Sequence, residues 1–415
     1  MKNYLILFSI VLVICAPLFK KGFYTSQDGE HHLVRTVNFA SELKKGNFFP
    51  GWIDDLNKGL GYPIFYFAYP LPYYLTGIIN ILGFSAINSL KTIFVLATAA
   101  SVLIFWHWSE NMTASLIFAF TPYRFLNLYV RASLGEIVFI PMVLGAFLAI
   151  KNKNPILVSL FVFLMLLSHL QLSLIFIPIL ILYSRNFLIS IMSGLLMSTF
   201  FWLPAVWLLP LTKHARTLQF LPYEHIPGIA KLIYSKWNFG FSPKGMSFQI
   251  GLAQIIILIF AIYSHHKKLF LTINLVAIIL MTELSIFIWE NPLFYQIQFP
   301  WRLLMVPMIL IPFLLPKKIP KLVAILLVIL AIYSNRNHIR VNQTVYENTP
   351  DQYFLNNTGT TTATPDEFMP RVSKSQFISQ PVIFWSRLIS GASLLVWVLL
   401  LLKSNYATLG IHHRH

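Results

Sequence analysis

The sequence predicts an all-α, polytopic membrane protein, and three observations predict it. Hydrophobic residues make up 57% of the 415 residues, while Asp, Glu, Lys and Arg together make up 11%, a bias that soluble domains do not carry. Leu5–Ile14, Ile156–Leu167 and Leu322–Ile332 are nearly continuous apolar runs, where a β-barrel would show short strands alternating apolar and polar residues. Many of the basic residues behind the formal net charge of +17 sit in short connections between such runs, as in loops held on the cytoplasmic side of a membrane. That charge suits an anionic lipid surface, so membrane lipids are expected partners. Nucleic acid is not, because no basic helix or RNA-binding motif accompanies the charge.

Met1–Phe19 opens with Lys2 and an apolar core, like a signal peptide. Cys15-Ala16-Pro17 before Lys20 and Lys21 is a poor cleavage sequence, so the segment reads as a retained anchor. Cys15 is the single cysteine and has no partner for an intrachain disulfide. Pro70–Phe84 is moderately apolar but only about four turns long, short of the ~20 residues that span a bilayer. Read as a half-embedded helix that does not cross, it leaves about twelve spans: 3–19, 90–108, 112–122, 134–150, 155–168, 170–184, 187–209, 249–264, 269–289, 303–315, 321–334 and 383–402. The loops on the amino-terminal side then hold Lys151 and Lys153, Arg185, Lys267 and Lys268, Lys317, Lys318 and Lys321, and Lys403, which makes that side cytoplasmic. Counting Pro70–Phe84 as a span would invert every later loop. Several spans are short, so their ends must be irregular inside protein.

The chain therefore reads as a single integral membrane domain over 1–415 in the cell (inner) membrane, with extracytoplasmic loops at 20–89, 210–248 and 335–382 and shorter ones at 123–133 and 290–302. The unusual polar clusters all fall on that face. Asp28, His32 and Arg35 stand at i, i+4 and i+7, sharing one face of a helix expected over Gln27–Lys45. Two readings stand side by side: Asp28 takes a proton from an acceptor hydroxyl while Arg35 stabilises an anionic leaving group, or Asp28 merely caps the helix. His31 and His32 with Asp28 and Glu30 are candidate ligands for a divalent metal, which would need a further ligand from elsewhere. No other cofactor is expected.

The stretch from Trp52 to Tyr74 carries acids, glycines and seven further aromatic residues; Trp52, Asp55, Tyr62 and Tyr73 are candidate sugar contacts within what also reads as an interfacial aromatic belt. Tyr123-Arg124 and Tyr129-Val130-Arg131, followed by Glu136, put two cations and a carboxylate at a helix mouth, where charge is expensive. His169 follows Ser168 between two apolar runs on the same face, as a ligand contact or a hydrogen-bonded structural group. Arg302, after Gln298-Phe299-Pro300-Trp301, is placed either to clamp a phosphate or to snorkel. The 210–248 loop, with Lys213, His214, Arg216, Lys231 and Lys236, forms a basic cover.

The order of one anchor helix, Asp28-x3-His32-x2-Arg35, Pro50-Gly51-Trp52, Gly61-Tyr62-Pro63-Ile64-Phe65 and Pro70-Leu71-Pro72-Tyr73-Tyr74 resembles the GT-C superfamily of polytopic glycosyltransferases. Within it, the chain looks most like the prokaryotic membrane proteins labelled 6-pyruvoyl-tetrahydropterin synthase-related, neighbours of the YfhO-like group. The likeness continues through Tyr129-Val130-Arg131-Ala132 with Glu136, Ser168-His169, Leu203-Pro204-Ala205, Met246-Ser247-Phe248-Gln249-Ile250-Gly251, Phe299-Pro300-Trp301-Arg302 and Thr360-Thr361-Thr362-Ala363-Thr364-Pro365-Asp366-Glu367. No zinc-histidine pterin synthase domain is visible beside the label. The resemblance implies a GT-C-like fold and transfer of a sugar from a polyprenyl-phosphate carrier on the extracytoplasmic face. It implies an aspartate of the first external loop as catalytic base, the position of Asp28, with Glu136 as the second acid. His32 and Arg35 complete the candidate catalytic set. Trp52, Asp55, Tyr62, Tyr73, Arg131, His169 and Arg302 are the candidate substrate contacts. The rival readings are a transporter or flippase of lipids or lipid-linked sugars, which needs the cations but no base, and a non-catalytic membrane scaffold.

Overall fold

The computed structural model describes residues 1–213, 222–240, 245–264, 267–356, 359, 361–362 and 367–411. His214 and Arg216 of the basic loop, and residues 360 and 363–366 of the threonine-rich run, lie outside the described residues. Among those described the chain is nearly all helical, and apolar side chains such as Leu5, Ile189, Leu322 and Leu395 stand exposed on the outer faces of the helices. Such a surface belongs against lipid, which makes this an integral membrane protein.

The expected twelve spans are not reached. Among the described residues four helices are long and apolar enough to cross a membrane: Lys2–Phe19, Ala86–Ser109, Leu134–Lys151 and Lys374–Lys403. Two sharply bent pairs, Leu170–Tyr183 with Arg185–Met197 (118°) and Lys268–Ile279 with Glu283–Trp289 (86°), raise the total to six if each pair is one span. The remaining apolar helices are shorter, because polar and proline residues end them early. Segment 112–122 forms only Met112–Ala119 and stops before Pro122, where the pyrrolidine ring disfavours helical geometry in the residue ahead of it. Segment 187–209 breaks at Ser198 and Thr199, whose hydroxyls bond back to the carbonyls of Gly194 (3.1 Å) and Leu196 (2.8 Å).

Leu134–Lys151 is the central helix, buried along most of its length between Ala86–Ser109 and Pro155–Ser168. Its 18 residues carry the chain about 27 Å, so its two ends mark the two ends of the bundle. At the carboxy-terminal end, Lys151 and Lys317 both pair with Glu110 (2.5 Å each), and Lys267 lies 3.7 Å over the Phe313 ring. At the amino-terminal end, Leu134-Gly135-Glu136 meets the polar segments.

Those segments are held together by long-range main-chain pairing. Phe23 and Tyr24 form a two-stranded antiparallel sheet with Val345 and Thr344. From there the described residues of the 344–374 strap meet the first loop, where the Asn57 N–H donates to the Gly359 carbonyl (3.3 Å) and Lys374 pairs with Asp54, and meet the start of the 210–248 loop, where the Lys213 N–H donates to the Met369 carbonyl (2.8 Å). Pro70–Ile81 is 12 residues long, about 18 Å. Tyr69 at its start lines the polar cavity described below, while Asn80 near its end donates to Asp351 (2.6 Å) of the strap. Both of its ends therefore stay with the same set of segments.

Candidate active site

Helix Gly29–Lys44 begins where the chain folds back from the short strand. A Cβ on Gly29 would lie 2.3 Å from both the Phe23 ring and Ser26 Oγ, so only glycine permits that approach. Asp28 occupies the N-cap position of this helix, yet its side chain makes no capping bond. Its carboxylate turns instead toward Arg131, with Oδ2 3.6 Å from Nη2. The main chain sets that approach: Gln27 N–H donates to the Val130 carbonyl (3.0 Å) and Asp28 N–H to the Arg131 carbonyl (2.9 Å). Burial raises the Asp28 carboxyl above its usual range, and the attraction of Arg131 and Arg35 only partly offsets it.

Arg131 ends a π-helical turn, Leu126–Arg131, after which Ala132 takes a left-handed conformation (φ 53°). Single π-turns of this kind collect at functional sites. Here the turn swings Arg131 over the first turn of the central helix, where Nη1 donates to Glu136 Oε1 (2.6 Å) and Asn127 Oδ1 (3.1 Å). Glu136 is wholly buried and saturated: it also accepts from Tyr123 (2.7 Å) and Asn127 Nδ2 (3.1 Å), with Arg302 Nε at 3.7 Å and His169 Nε2 at 3.9 Å. Proposed from sequence as a catalytic acid, it does not line the cavity; it is the buried counter-charge of two arginines.

Arg302 follows a stacked aromatic ladder, Phe248 on Trp301 (5.2 Å) and Trp301 on Phe299 (5.1 Å). The guanidinium of Arg131 lies over Trp301 (4.6 Å) and that of Arg302 over Phe299 (4.9 Å). Arg302 Nη1 donates to Ile297 O (2.9 Å) and Gln298 Oε1 (2.8 Å). For both arginines Nη2 has no hydrogen-bond acceptor among the described residues, and both side chains line one cavity of about 420 Å³ together with Asp28, His31, Tyr69 and Glu367. The cavity thus presents a partly exposed carboxylate beside two forked cations, a set able to accept a proton and hold a phosphate.

The other candidates divide. His32 and Arg35 reach the same cavity wall, but His32 is spent on structure: Leu134 N–H donates to its Nε2 (3.4 Å), leaving the Nδ1 proton for the Tyr73 oxygen (2.8 Å). Burial pushes its pKa well below the usual imidazole value, so it stays neutral and is a poor proton carrier. Arg35 donates to Tyr73 (3.1 Å) and holds the carbonyl of Thr361, so it positions the strap rather than standing free for a leaving group. Tyr73 is the buried hub of that pair and does not line the cavity. His169 caps helix Leu170–Tyr183 by accepting from Leu172 N–H (3.3 Å) and stacks on Tyr69 (4.9 Å) behind the cavity wall.

Trp52, Asp55 and Tyr62 are not cavity residues. The bridge between Ile53 and Tyr62 turns Asp55 into solvent and packs Trp52 against Phe377 (6.0 Å). Tyr62 acts at one remove, its oxygen accepting from the N–H of Phe368 (2.7 Å), which does line the cavity. Sequence reasoning did not select Tyr69, His225, Trp301 or Glu367 as site residues; Trp301 and Glu367 stood in motifs, whereas His225 carried no signal. For a metal, Asp28 and His31 share the cavity while Glu30 turns to Tyr346. Among the described residues no three His, Cys, Asp or Glu side chains converge on a common point.

Among solved structures, the chain matches the single-particle cryo-EM structure of the arabinofuranosyltransferase AftD from Mycobacteria with a TM-score of 0.52 and 10% sequence identity, over 84% of this chain and 27% of that one. No family model and no curated protein matches the chain, so the narrower likeness to the 6-pyruvoyl-tetrahydropterin synthase-related proteins has no counterpart there. The chain spans about a quarter of the length of AftD, and at that identity the likeness is one of fold alone.

Proposed function

We propose that the protein is a GT-C-type glycosyltransferase of the cell membrane that transfers a sugar from a polyprenyl-phosphate donor to an acceptor hydroxyl on the extracytoplasmic face. The observation that carries this reading is the convergence of an uncapped Asp28 carboxylate with Arg131 and Arg302 on one 420 Å³ cavity, a volume in the range of small-ligand sites. The sidedness is supported by the lysines at the far end of the central helix, Lys151, Lys267 and Lys317, which the positive-inside rule assigns to the cytoplasm.

In this reading the acceptor hydroxyl gives its proton to Asp28 as its oxygen bonds to the anomeric carbon. The bond from that carbon to the phosphate oxygen breaks, and its electron pair leaves with polyprenyl phosphate. The charge gained by the phosphate meets Nη2 of Arg131 and Arg302. Transfer from a polyprenyl-phosphate sugar by the full-length protein in liposomes tests the proposal. Asp28→Asn is expected to lower turnover by about a hundredfold or more with folding intact; undiminished transfer would refute the assignment of the base. A lipid transporter would instead show lipid flipping that responds to Arg302→Ala, tolerates Asp28→Asn and is accompanied by no sugar transfer.

A further inference from the structure

A second cavity, of about 470 Å³, opens at the start of helix Leu252–Ser264 and the end of helix Lys321–Asn335. The segment 246–249 separates it from the first: Met246 lines one cavity, Gln249 lines the other, and the Phe248 ring between them stacks on Trp301. Its charge is of one sign. Lys236, Arg336 and Arg340 line it, and no Asp or Glu does. The guanidinium of Arg336 lies 3.8 Å over the Tyr333 ring and that of Arg340 5.6 Å over Phe239. Stacking of this kind orients a guanidinium while leaving its charge available. Among the described residues none of the three cations pairs with a carboxylate.

Behind the cations stand two buried donors. His338 (4% exposed) and Trp237 (9%) stack at 4.2 Å. His338 Nε2 lies 3.3 Å from Gln249 Nε2 and accepts its N–H, which leaves the ring proton on Nδ1. That Nδ1 and the indole Nε1 of Trp237 have no hydrogen-bond partner among the described residues. Burial, followed by the repulsion of Arg340, lowers His338 to about 4, so at neutral pH the ring is uncharged and offers a single N–H. A buried N–H without an acceptor is costly. Both nitrogens lie buried behind the wall, so the charge the cavity presents to a ligand is that of Lys236, Arg336 and Arg340.

Beside polar residues such as Ser334 and Asn337, part of the wall is apolar. Leu252, Leu330 and Tyr333 line it, and Leu252, Ile329 and Tyr333 continue as exposed surface along the outer helix faces. Cations at helix ends above an aliphatic face match a molecule with a phosphate head and hydrocarbon chains. We propose that this cavity binds the phosphate headgroup of an anionic membrane lipid, with its acyl chains along Leu252, Leu330 and Tyr333. The site uses none of the residues assigned to sugar transfer and stands whether or not that reaction does.

Native mass spectrometry of the full-length protein in detergent, titrated with phosphatidylglycerol, counts the bound lipid directly. Arg336→Ala combined with Arg340→Ala removes exposed side chains and is expected to weaken binding by about tenfold or more. Asp28→Asn should leave lipid binding unchanged. Wild-type affinity in the double variant, or equal affinity for phosphatidylcholine of the same chain length, would overturn the proposal. Inorganic phosphate that binds as tightly as the lipid would overturn the lipid assignment and leave a free-anion site.

Discussion

Glu136→Gln removes the one negative charge shared by two buried arginines, and its cost follows from the bonds it breaks. The carboxylate is fully buried and accepts from Arg131 (2.6 Å), Tyr123 (2.7 Å) and Asn127 (3.1 Å), with Arg302 Nε at 3.7 Å. A glutamine that keeps an oxygen toward Arg131 turns its amide N–H groups toward Tyr123 and Asn127. The tyrosine hydroxyl can rotate to accept, but Asn127 is fixed by its own bond to Arg131 (3.1 Å) and leaves two donors face to face. Breaking a buried ion pair on one side costs about 3–5 kcal/mol, a large share of the ~5–15 kcal/mol that holds a typical domain folded. Thermal unfolding of the purified protein, followed by intrinsic fluorescence, should show a lower transition for Glu136→Gln. Glu136→Asp, which keeps the charge, should recover most of it. A glutamine variant that unfolds at the wild-type temperature while sugar transfer is lost would refute the anchoring role and return Glu136 to the reacting groups.

Because burial raises Asp28 above its usual value near 3.8, kcat/KM should fall as pH drops through that raised pKa, where the base takes up its proton; an acid limb at or below 3.8 contradicts this. The folded state favours the protonated carboxyl, so ionisation of Asp28 costs stability as pH rises through the raised value, and Asp28→Asn should be no less stable than the parent at neutral pH. Tyr73→Phe strands Arg35 Nη1 and His32 Nδ1 (3.1 and 2.8 Å from its oxygen), at about 1–3 kcal/mol for each donor, which an unchanged unfolding temperature would rule out. Gly61 has φ +80°, and a Cβ there would fall 2.2 Å from Trp52 Nε1. Gly61→Ala should therefore cost about 1–2 kcal/mol in backbone strain alone, displace Trp52, and expose the 50–62 hairpin to limited proteolysis.

The parts of the site that were legible in the sequence are those whose charge is expensive in an apolar chain. Asp28, Arg131 and Arg302 stood out because few acids and bases interrupt the hydrophobic runs, and they converge. Trp52, Asp55 and Tyr62 stood out equally, as a dense aromatic and acidic stretch, yet the hairpin between Ile53 and Tyr62 and the strap at 344–374 direct them elsewhere. That path is set by pairings such as Thr25 N–H to the Gln343 carbonyl (2.9 Å), separated by most of the chain, and no local pattern encodes it. The role of Glu136 was hidden for a nearer reason. Its contact with Arg131 depends on a π-turn and a left-handed alanine, neither of which has a residue signature here. The count of twelve spans is not confirmed: helix boundaries at His169 and Ser184 fall where the sequence reading put them, but the expected span 187–209 is interrupted at Ser198.

Asp28 and Arg131 are coupled through main chain. Residues 27 and 28 donate to the carbonyls of 130 and 131, Ser133 N–H donates back to Asn127 (2.9 Å), and Leu134 N–H closes the ring on His32. Asp28 and Arg131 are thereby set in register by backbone bonds rather than by the reach of two flexible side chains, and the buried charge of Glu136 holds the arginine from the other side. A unit built this way resists independent movement of either partner. The strap carries both kinds of tie: main-chain bonds at Asn57–Gly359 and Lys213–Met369, and side-chain bonds from Arg35 to Thr361 and from Phe368 N–H to the Tyr62 hydroxyl.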